Sequence, residues 1–142
     1  ISNGEKLKIR SPYAIRPWQH VLDPLTGYLT LAEKLYTEGP RFADSWNFGP
    51  DDDGAKNVEW IARTVCRLWD DNASFEIDSH PQPHEAHYLK LDCSKAKSEL
   101  AWTPSWSIQI ALESIVTWNK SRLSGENMRQ VTLNQIKQYF SK

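Results

Sequence analysis

Two arginines, a histidine and two aromatic rings lie close together between Arg10 and Val21. Arg16 precedes Pro17, which favours an extended backbone at the arginine and removes one backbone amide donor. A guanidinium held in this way can donate two parallel charge-assisted hydrogen bonds to a phosphate group. The segment therefore predicts an anion site with Arg16 as its main ligand. The alternative is an ordinary charged surface strand.

Other kinds of site lack their motifs in this chain. The six glycines are scattered, so neither a dinucleotide-binding fingerprint nor a phosphate-binding loop ending in Gly-Lys-Ser/Thr is present. His80, His84 and His87 share one loop, but the prolines at 81 and 83 leave no regular geometry for a metal. The Gly-x-Ser-x-Gly motif of hydrolases is also absent. We predict no metal site and no catalytic residue within this sequence.

Length and charge restrict the class of protein. The 142 residues suffice for one domain with a substantial core. With 17 basic and 18 acidic side chains the net charge is −1, which argues against a general nucleic-acid or anionic-membrane surface. No apolar run approaches about eighteen residues, and no signal sequence is visible. Two cysteines without Cys-x-x-Cys spacing indicate free thiols, so we expect a cytoplasmic protein without membrane contact.

Arg16 must be positioned by a mixed set of elements. Alternation over residues 6–21 predicts extended structure with a bend. Helical spacing of apolar residues then predicts a helix with Asp23 as its N-cap, ended by the Gly-Pro pair at 39–40. Residues 45–49 predict a short buried strand, and residues 74–78 predict another.

The second half of the chain is mainly helical. Asn57 is predicted to cap a second helix, Ser107 to open another, and Glu126 to start the last, with a short helix ending near Leu100. Short strands between longer helices predict a small, helix-rich α/β domain with about five helices. Six tryptophans occupy positions where the apolar pattern of the sequence continues, and they are predicted to pack in the core: Trp46, Trp60, Trp69, Trp102, Trp106 and Trp118.

Four motifs follow one another along nearly the whole chain. They are Ala-Ile-Arg-Pro-Trp-Gln-His-Val (14–21), Ala-Glu-Lys-Leu-Tyr (32–36), Trp-Asn-Phe-Gly-Pro (46–50) and Pro-His-Glu-Ala-His-Tyr-Leu-Lys-Leu-Asp-Cys-Ser-Lys-Ala (83–96). In this order they resemble the C-terminal half of the extended short-chain dehydrogenase/reductases, in the sugar-nucleotide epimerase/dehydratase family. The motifs are most similar to those of dehydratases that act on a CDP-sugar. Ala101 departs from the glycine usual in the family, and Asn119 from an aromatic residue.

The resemblance implies a substrate-binding domain of a larger enzyme. Such an enzyme binds NAD in an N-terminal Rossmann domain, which this sequence lacks, and removes water from a CDP-sugar. A tyrosine followed four residues later by a lysine starts that reaction, and no tyrosine of this chain has such a lysine. The implied partners are therefore a CDP-sugar and the N-terminal domain. We expect the chain to bind no cofactor itself and to be inactive alone.

The resemblance also implies particular contacts with the substrate. Arg16 should contact the diphosphate, and Asn47 should support the phosphates or the nucleotide. His84 and His87 lie where related enzymes bring a basic group to the phosphates. Trp18 and Gln19 either read the base or only pack.

Other functions stay open on the sequence alone. The chain could be a non-enzymatic interaction module that docks through a tryptophan-rich face. It could serve an enzyme of the same family that acts on another nucleotide sugar. A nucleic-acid platform of Arg10, Arg16, Trp18 and His20 is a further alternative, which the near-neutral charge disfavours.

Overall fold

The computed structural model describes residues 1, 3–70, 72–80 and 86–141, in which short strands are interleaved with longer helices. Five α-helices lie in this described part: α1 (Leu22–Glu38), α2 (Val58–Trp69), α3 (Ser94–Leu100), α4 (Ile108–Leu123) and α5 (Met128–Phe140). Its strands are β1 (Leu7–Ile9), β2 (Ile15–Pro17), β3 (Ala55–Asn57) and β4 (Phe75–Ile77). The predicted fold class, a small helix-rich α/β domain, is confirmed. Within the described residues, no helix is both long and apolar enough to cross a membrane.

The strands form two separate two-stranded sheets. β1 pairs in parallel with β4, and β2 pairs antiparallel with β3 so that Arg16 lies directly opposite Lys56. β2 also makes a parallel bridge from Ile15 to Tyr88. The predictions of extended structure before residue 21 and at 74–78 are confirmed, whereas no sequence pattern predicts β3.

The strand predicted at residues 45–49 is wrong, because this segment has no regular secondary structure. Side chains satisfy its backbone instead of a ladder: Gln19 Nε2 donates to the Phe48 carbonyl at 2.8 Å, and the Gly49 amide donates to Cys93 Sγ at 3.0 Å. Phe48 and Gly49 are buried, which reproduces the apolar pattern of a strand without strand pairing.

Asp23 does not cap α1 as predicted, because the helix already begins at Leu22. The side chain is fully buried, and its Oδ1 accepts hydrogen bonds from the Ser105 amide at 2.6 Å and the Tyr139 hydroxyl at 2.7 Å. A carboxylate in the first helical turn is also stabilised by the helix dipole. Asp23 therefore joins α1 to α5 and to the connection between α3 and α4.

Thr26 extends this buried polar network by one turn of α1. Its hydroxyl donates to the Asp23 carbonyl at 2.7 Å and lies 3.3 Å from the Tyr139 hydroxyl. The Trp102 indole donates to the same threonine oxygen at 3.2 Å. The indole of a core tryptophan is thereby satisfied, and the network fixes the rotation of α1.

Phe48 packs where α1 comes closest to the neighbouring loop. A Cβ atom added at Gly27 would lie 2.3 Å from Phe48 Cδ1, so only glycine fits at this position. The Phe48 ring packs edge-on against Trp102 and Tyr28, with ring centres 5.0 and 5.4 Å apart. The absence of a side chain at Gly27 thus lets the Phe48 ring pack closely against α1.

The core consists of two clusters. The first contains Phe42, Phe48, Cys93, Ala96, Leu100 and Trp102. The second is centred on α4 and contains Ile108, Ala111 and Leu112, with the partly buried Trp18, Trp60, Ile61, Val65 and Leu68 against it. Of the six tryptophans predicted in the core, Trp102 and Trp106 are buried and the other four are half-buried.

Helix ends follow the sequence signals more closely than the strands do. Asn57 Oδ1 accepts from the Trp60 amide at 2.8 Å, and Ser107 caps α4, so both predicted caps are confirmed. α5 begins two residues later than predicted and is capped by Asn127. Ala101 ends α3 with a φ of 52°, the left-handed conformation that glycine adopts more easily.

Removal of the Tyr139 hydroxyl should destabilise the fold. Tyr139→Phe deprives a fully buried carboxylate of one donor, which costs about 1.5–3 kcal/mol for a hydrogen bond to a charged group. We expect urea unfolding to report a free energy of unfolding lower by that amount. Tyr36→Phe is the matched control, because Tyr36 is 92% exposed and should change it by less than about 0.5 kcal/mol. Equal stability of the two variants would contradict this role.

Candidate functional site

β2 is held on both sides by distant parts of the chain. On one side β3 pairs with it in antiparallel fashion. On the other side the Ile15 amide donates to the His87 carbonyl at 2.9 Å, and the Leu89 amide donates to the Ile15 carbonyl at 3.1 Å. Three separate regions of the sequence therefore meet at the strand that carries Arg16.

Arg16 occupies the middle of this strand. Its side chain is half-buried, and Nη1 donates to the Ile15 carbonyl at 2.8 Å. The extended conformation is the one that Pro17 favours for the preceding residue. The expectation that Arg16 projects from a defined strand is therefore met, while its contact with a phosphate stays a prediction.

Trp18 and Gln19 both have contacts within the protein. Trp18 Nε1 donates to the Lys56 carbonyl at 2.9 Å, and the ring packs on the α4 cluster. Gln19 Nε2 binds the Phe48 carbonyl, while no partner in the described part of the chain reaches its buried Oε1. These contacts favour the packing role that the sequence left open beside base recognition.

Asn47 lies in the irregular segment at residues 45–49, and not at the end of a strand. Its side chain is exposed, and Nδ2 donates to the Asp92 carbonyl at 3.2 Å. This contact fastens the loop to the segment that leads into α3. A role in supporting phosphates would use the remaining acceptor of the amide.

Of the two histidines predicted near the phosphates, His87 lies within the described residues and His84 lies outside them. His87 is exposed, and its carbonyl accepts the Ile15 amide next to the bridge between Ile15 and Tyr88. The His87 backbone therefore lies beside β2, and a contact of either histidine with a phosphate stays a prediction.

His20 has a structural environment although it belongs to the predicted anion-binding segment. Only 6% of it is exposed, and its ring centre lies 4.7 Å from that of Trp106. Nδ1 accepts a hydrogen bond from the Leu22 amide at 3.3 Å. Burial lowers the pKa of His20, and the nearby charge of Asp23 opposes that effect. The imidazole is therefore neutral near pH 7 and is a poor anion ligand.

Lys56 is a residue of this region that the sequence reasoning missed. It lies opposite Arg16 only because β2 pairs with β3 in this register. No local pattern contains both residues, so their pairing could be found only from the fold. Within the described residues, no group of three or more His, Cys, Asp or Glu side chains could hold a metal.

Two cavities among the described residues lie away from Arg16. One of about 620 Å³ lies between α4 and α5, and another of about 320 Å³ is lined by His20, Val21 and Leu22 together with α4 and α5. Neither contains Arg16, Asn47 or His87 among its lining residues. The predicted anion site is therefore not one of these two cavities.

No protein-family model matches the chain. The chain is similar to the CDP-glucose 4,6-dehydratase of Salmonella typhimurium (strain LT2), with 50% identity over 139 residues. The match covers 98% of this chain and 39% of that protein, in its C-terminal portion. It confirms the resemblance that the four motifs indicated. The chain thus spans well under half the length of this relative.

Acidification should weaken the fold through His20. Because burial lowers its pKa in the folded state, the unfolded chain binds the proton more readily. Stability should therefore fall as pH decreases through the ordinary value of 6.5. We expect urea unfolding to show this loss between about pH 7.5 and about pH 5.5.

The variant His20→Gln should reduce this pH dependence. An NMR titration should place the His20 midpoint below that of an unfolded peptide. A midpoint at or above the peptide value would contradict the prediction.

Proposed function

We propose that this chain is the substrate-binding portion of an NAD-dependent CDP-glucose 4,6-dehydratase, which converts CDP-glucose to CDP-4-keto-6-deoxyglucose and water. The observation that carries the proposal is the 50% identity over 98% of the chain. The product would enter dideoxysugar synthesis for lipopolysaccharide. The buried free thiols of Cys66 and Cys93 suit a reducing cytoplasm, which is the location we propose.

Arg16 is the proposed ligand of the CDP diphosphate. β2 fixes its backbone between β3 and the residues around His87. A guanidinium in a fixed position can donate two hydrogen bonds to phosphate oxygens, and each charge-assisted bond contributes about 1.5–3 kcal/mol. Partial burial supports this role because it reduces the screening of the charge by solvent and salt.

The other proposed contacts follow from their distance to β2. His84 and His87 would supply basic groups to the phosphates, since the His87 backbone adjoins β2. Asn47 would act through its amide oxygen. Trp18 and Gln19 would read the base only after giving up contacts that now hold the core and the loop at Phe48.

NAD is proposed to bind outside this chain. Within the described residues, β2 and β3 are the strands that lead into α1 and α2, and residues 18–26 and 58–62 contain no glycine. Asp23 and Glu59 lie in the first turns of these helices, where a negative charge disfavours a cofactor diphosphate. The residues present do not fit the cofactor, so no hydride transfer is assigned to them.

The tyrosines of this chain do not suit the proton transfer of the family. The residue four positions after Tyr13, Tyr28, Tyr36 or Tyr88 is proline, alanine, proline or aspartate. Burial raises the pKa of Tyr139, and hydrogen bonds from Thr26 and Ser105 only partly offset this effect. We therefore propose that catalysis requires residues outside this chain.

The outer face of α1 supports association with the rest of such an enzyme. Val21, directly before the helix, and four apolar residues of the helix lie on one side at helical spacing and are exposed: Leu25, Tyr28, Leu29 and Tyr36. A contiguous apolar stripe in water marks an interaction surface. This observation favours the interaction-module alternative only as part of the main proposal, with the N-terminal domain as the partner. We propose no nucleic-acid or membrane partner, given the net charge of −1.

Replacement of Arg16 should weaken the binding of CDP. We expect Arg16→Ala to raise the dissociation constant for CDP at least about tenfold, because a charge-assisted hydrogen bond is lost. NMR shift perturbation can follow such weak binding. Arg63→Ala is the control, since Arg63 is exposed and paired with Glu59 on α2.

Titrations with UDP and GDP test the choice of base in the same samples. A preference for CDP agrees with the proposal, whereas a preference for UDP or GDP would favour a related enzyme of another nucleotide sugar. Unchanged CDP binding in Arg16→Ala would contradict the proposed contact between Arg16 and the diphosphate. A steep loss of affinity with salt would favour a nucleic-acid site.

The chain alone should give no product from CDP-glucose and NAD. Addition of the N-terminal portion of the Salmonella enzyme should restore product if the outer face of α1 docks there. Leu29→Asp should reduce the restored activity, because it places a charge in the proposed interface at a side chain now 67% exposed.

Thr37→Asp is the control, since Thr37 is exposed in the last turn of the same helix, outside the group of apolar residues named above. Formation of product by the chain alone would contradict the prediction that the chain is inactive by itself. Equal activity of the two variants would contradict docking through this face.

A further inference from the structure

Arg16 and Lys56 oppose each other across the β2–β3 pair. The register is fixed on both sides, by the Val58 amide bonded to the Ala14 carbonyl at 3.1 Å and by the bond between Trp18 and Gly54 at 3.0 Å. Directly opposed residues in an antiparallel pair have Cβ atoms about 4.5–5.5 Å apart on the same face. Two cationic side chains therefore start from neighbouring points on one surface.

This arrangement opposes the ordinary preference of strands. Like charges directly opposite one another destabilise an antiparallel pair. Lys56 is half-buried, and no carboxylate in the described part of the chain pairs with it. Five other lysines of the described residues do have acidic partners, and Lys56 differs from these five: Lys8, Lys34, Lys90, Lys95 and Lys97.

The position of Lys56 is constrained by two tryptophans. Its carbonyl accepts the Trp18 indole, and its ammonium lies 5.5 Å from the centre of the Trp60 ring. Both rings pack on the α4 cluster. The nearby carboxylate of Glu59 is occupied by Arg63 at 2.6 Å. The ring contact therefore restrains the lysine without neutralising its positive charge.

We propose that Lys56 is the second cationic ligand of the diphosphate, acting together with Arg16. The inference rests on the proposed function, in which a nucleoside diphosphate binds beside β2. Such a ligand carries negative charge on two phosphate groups, so it can contact the planar guanidinium and the ammonium at once. Its binding would also remove the repulsion between the two cations.

The inference is tested by titration of CDP and CMP into the wild-type chain and four variants. Lys56→Gln and Lys56→Met should weaken CDP binding about tenfold and should weaken CMP binding less, because CMP lacks the second phosphate. Lys56→Arg should retain most of the affinity. Lys8→Gln is the control, since Lys8 is 72% exposed on the other sheet.

Thermal unfolding without ligand gives a second readout. A purely structural lysine would lower the melting temperature when replaced, whereas loss of a repulsive partner should leave the Lys56→Met variant equal or higher. A lower melting temperature with unchanged CDP binding would overturn the inference. The inference is also overturned if Lys56→Gln and Lys56→Met bind CDP as tightly as the wild type does. If Arg16→Ala binds CDP more weakly in that case, the proposed function still stands. If Arg16→Ala is also unaffected, or the wild type binds no CDP, the proposed function fails as well.

Discussion

The fully buried carboxylate of Asp23 is the constraint on which the arrangement of the helices depends. A buried charge without hydrogen-bond donors would cost several kcal/mol, so Ser105 and Tyr139 must reach it in the folded state. Those two contacts join the start of α1 to α5 and to the connection before α4. This anchor lies only a few residues after β2, the strand that carries Arg16.

The two sheets need support from the rest of the fold, because an isolated two-stranded sheet is only marginally stable in water. β2 and β3 are supported by Trp18, whose ring packs on α4 while its indole binds the Lys56 carbonyl. The loop around Phe48 adds a second support through Gln19. Surface ion pairs such as Lys90–Asp52 and Lys97–Asp51 contribute little individually. Packing and buried polar contacts therefore hold the surface beside β2.

Several side chains of the segment that suggests anion binding contact other parts of the protein. Trp18, Gln19 and His20 are engaged by the core, the Phe48 loop and Trp106. Arg16 lies on the strand with Lys56 opposite it, and its role as an anion ligand stays a prediction. Residue types suited to a ligand are equally suited to packing and backbone bonding, so only the neighbours of each side chain separate these roles. The same ambiguity explains the false strand at 45–49, where burial of Phe48 and Gly49 came from side-chain contacts.

The sequence by itself determined the features that depend on neighbouring residues. The caps at Asn57 and Ser107, the helix-rich class and the extended backbone at Arg16 all arise within a few positions, where local sterics and hydrogen bonds decide. The motifs also indicated the resemblance to sugar-nucleotide enzymes. Tertiary structure alone decided that Asp23 turns inward and that Arg16 faces Lys56. Both outcomes depend on which distant residues supply donors or a paired strand, and burial and register are set by the whole fold.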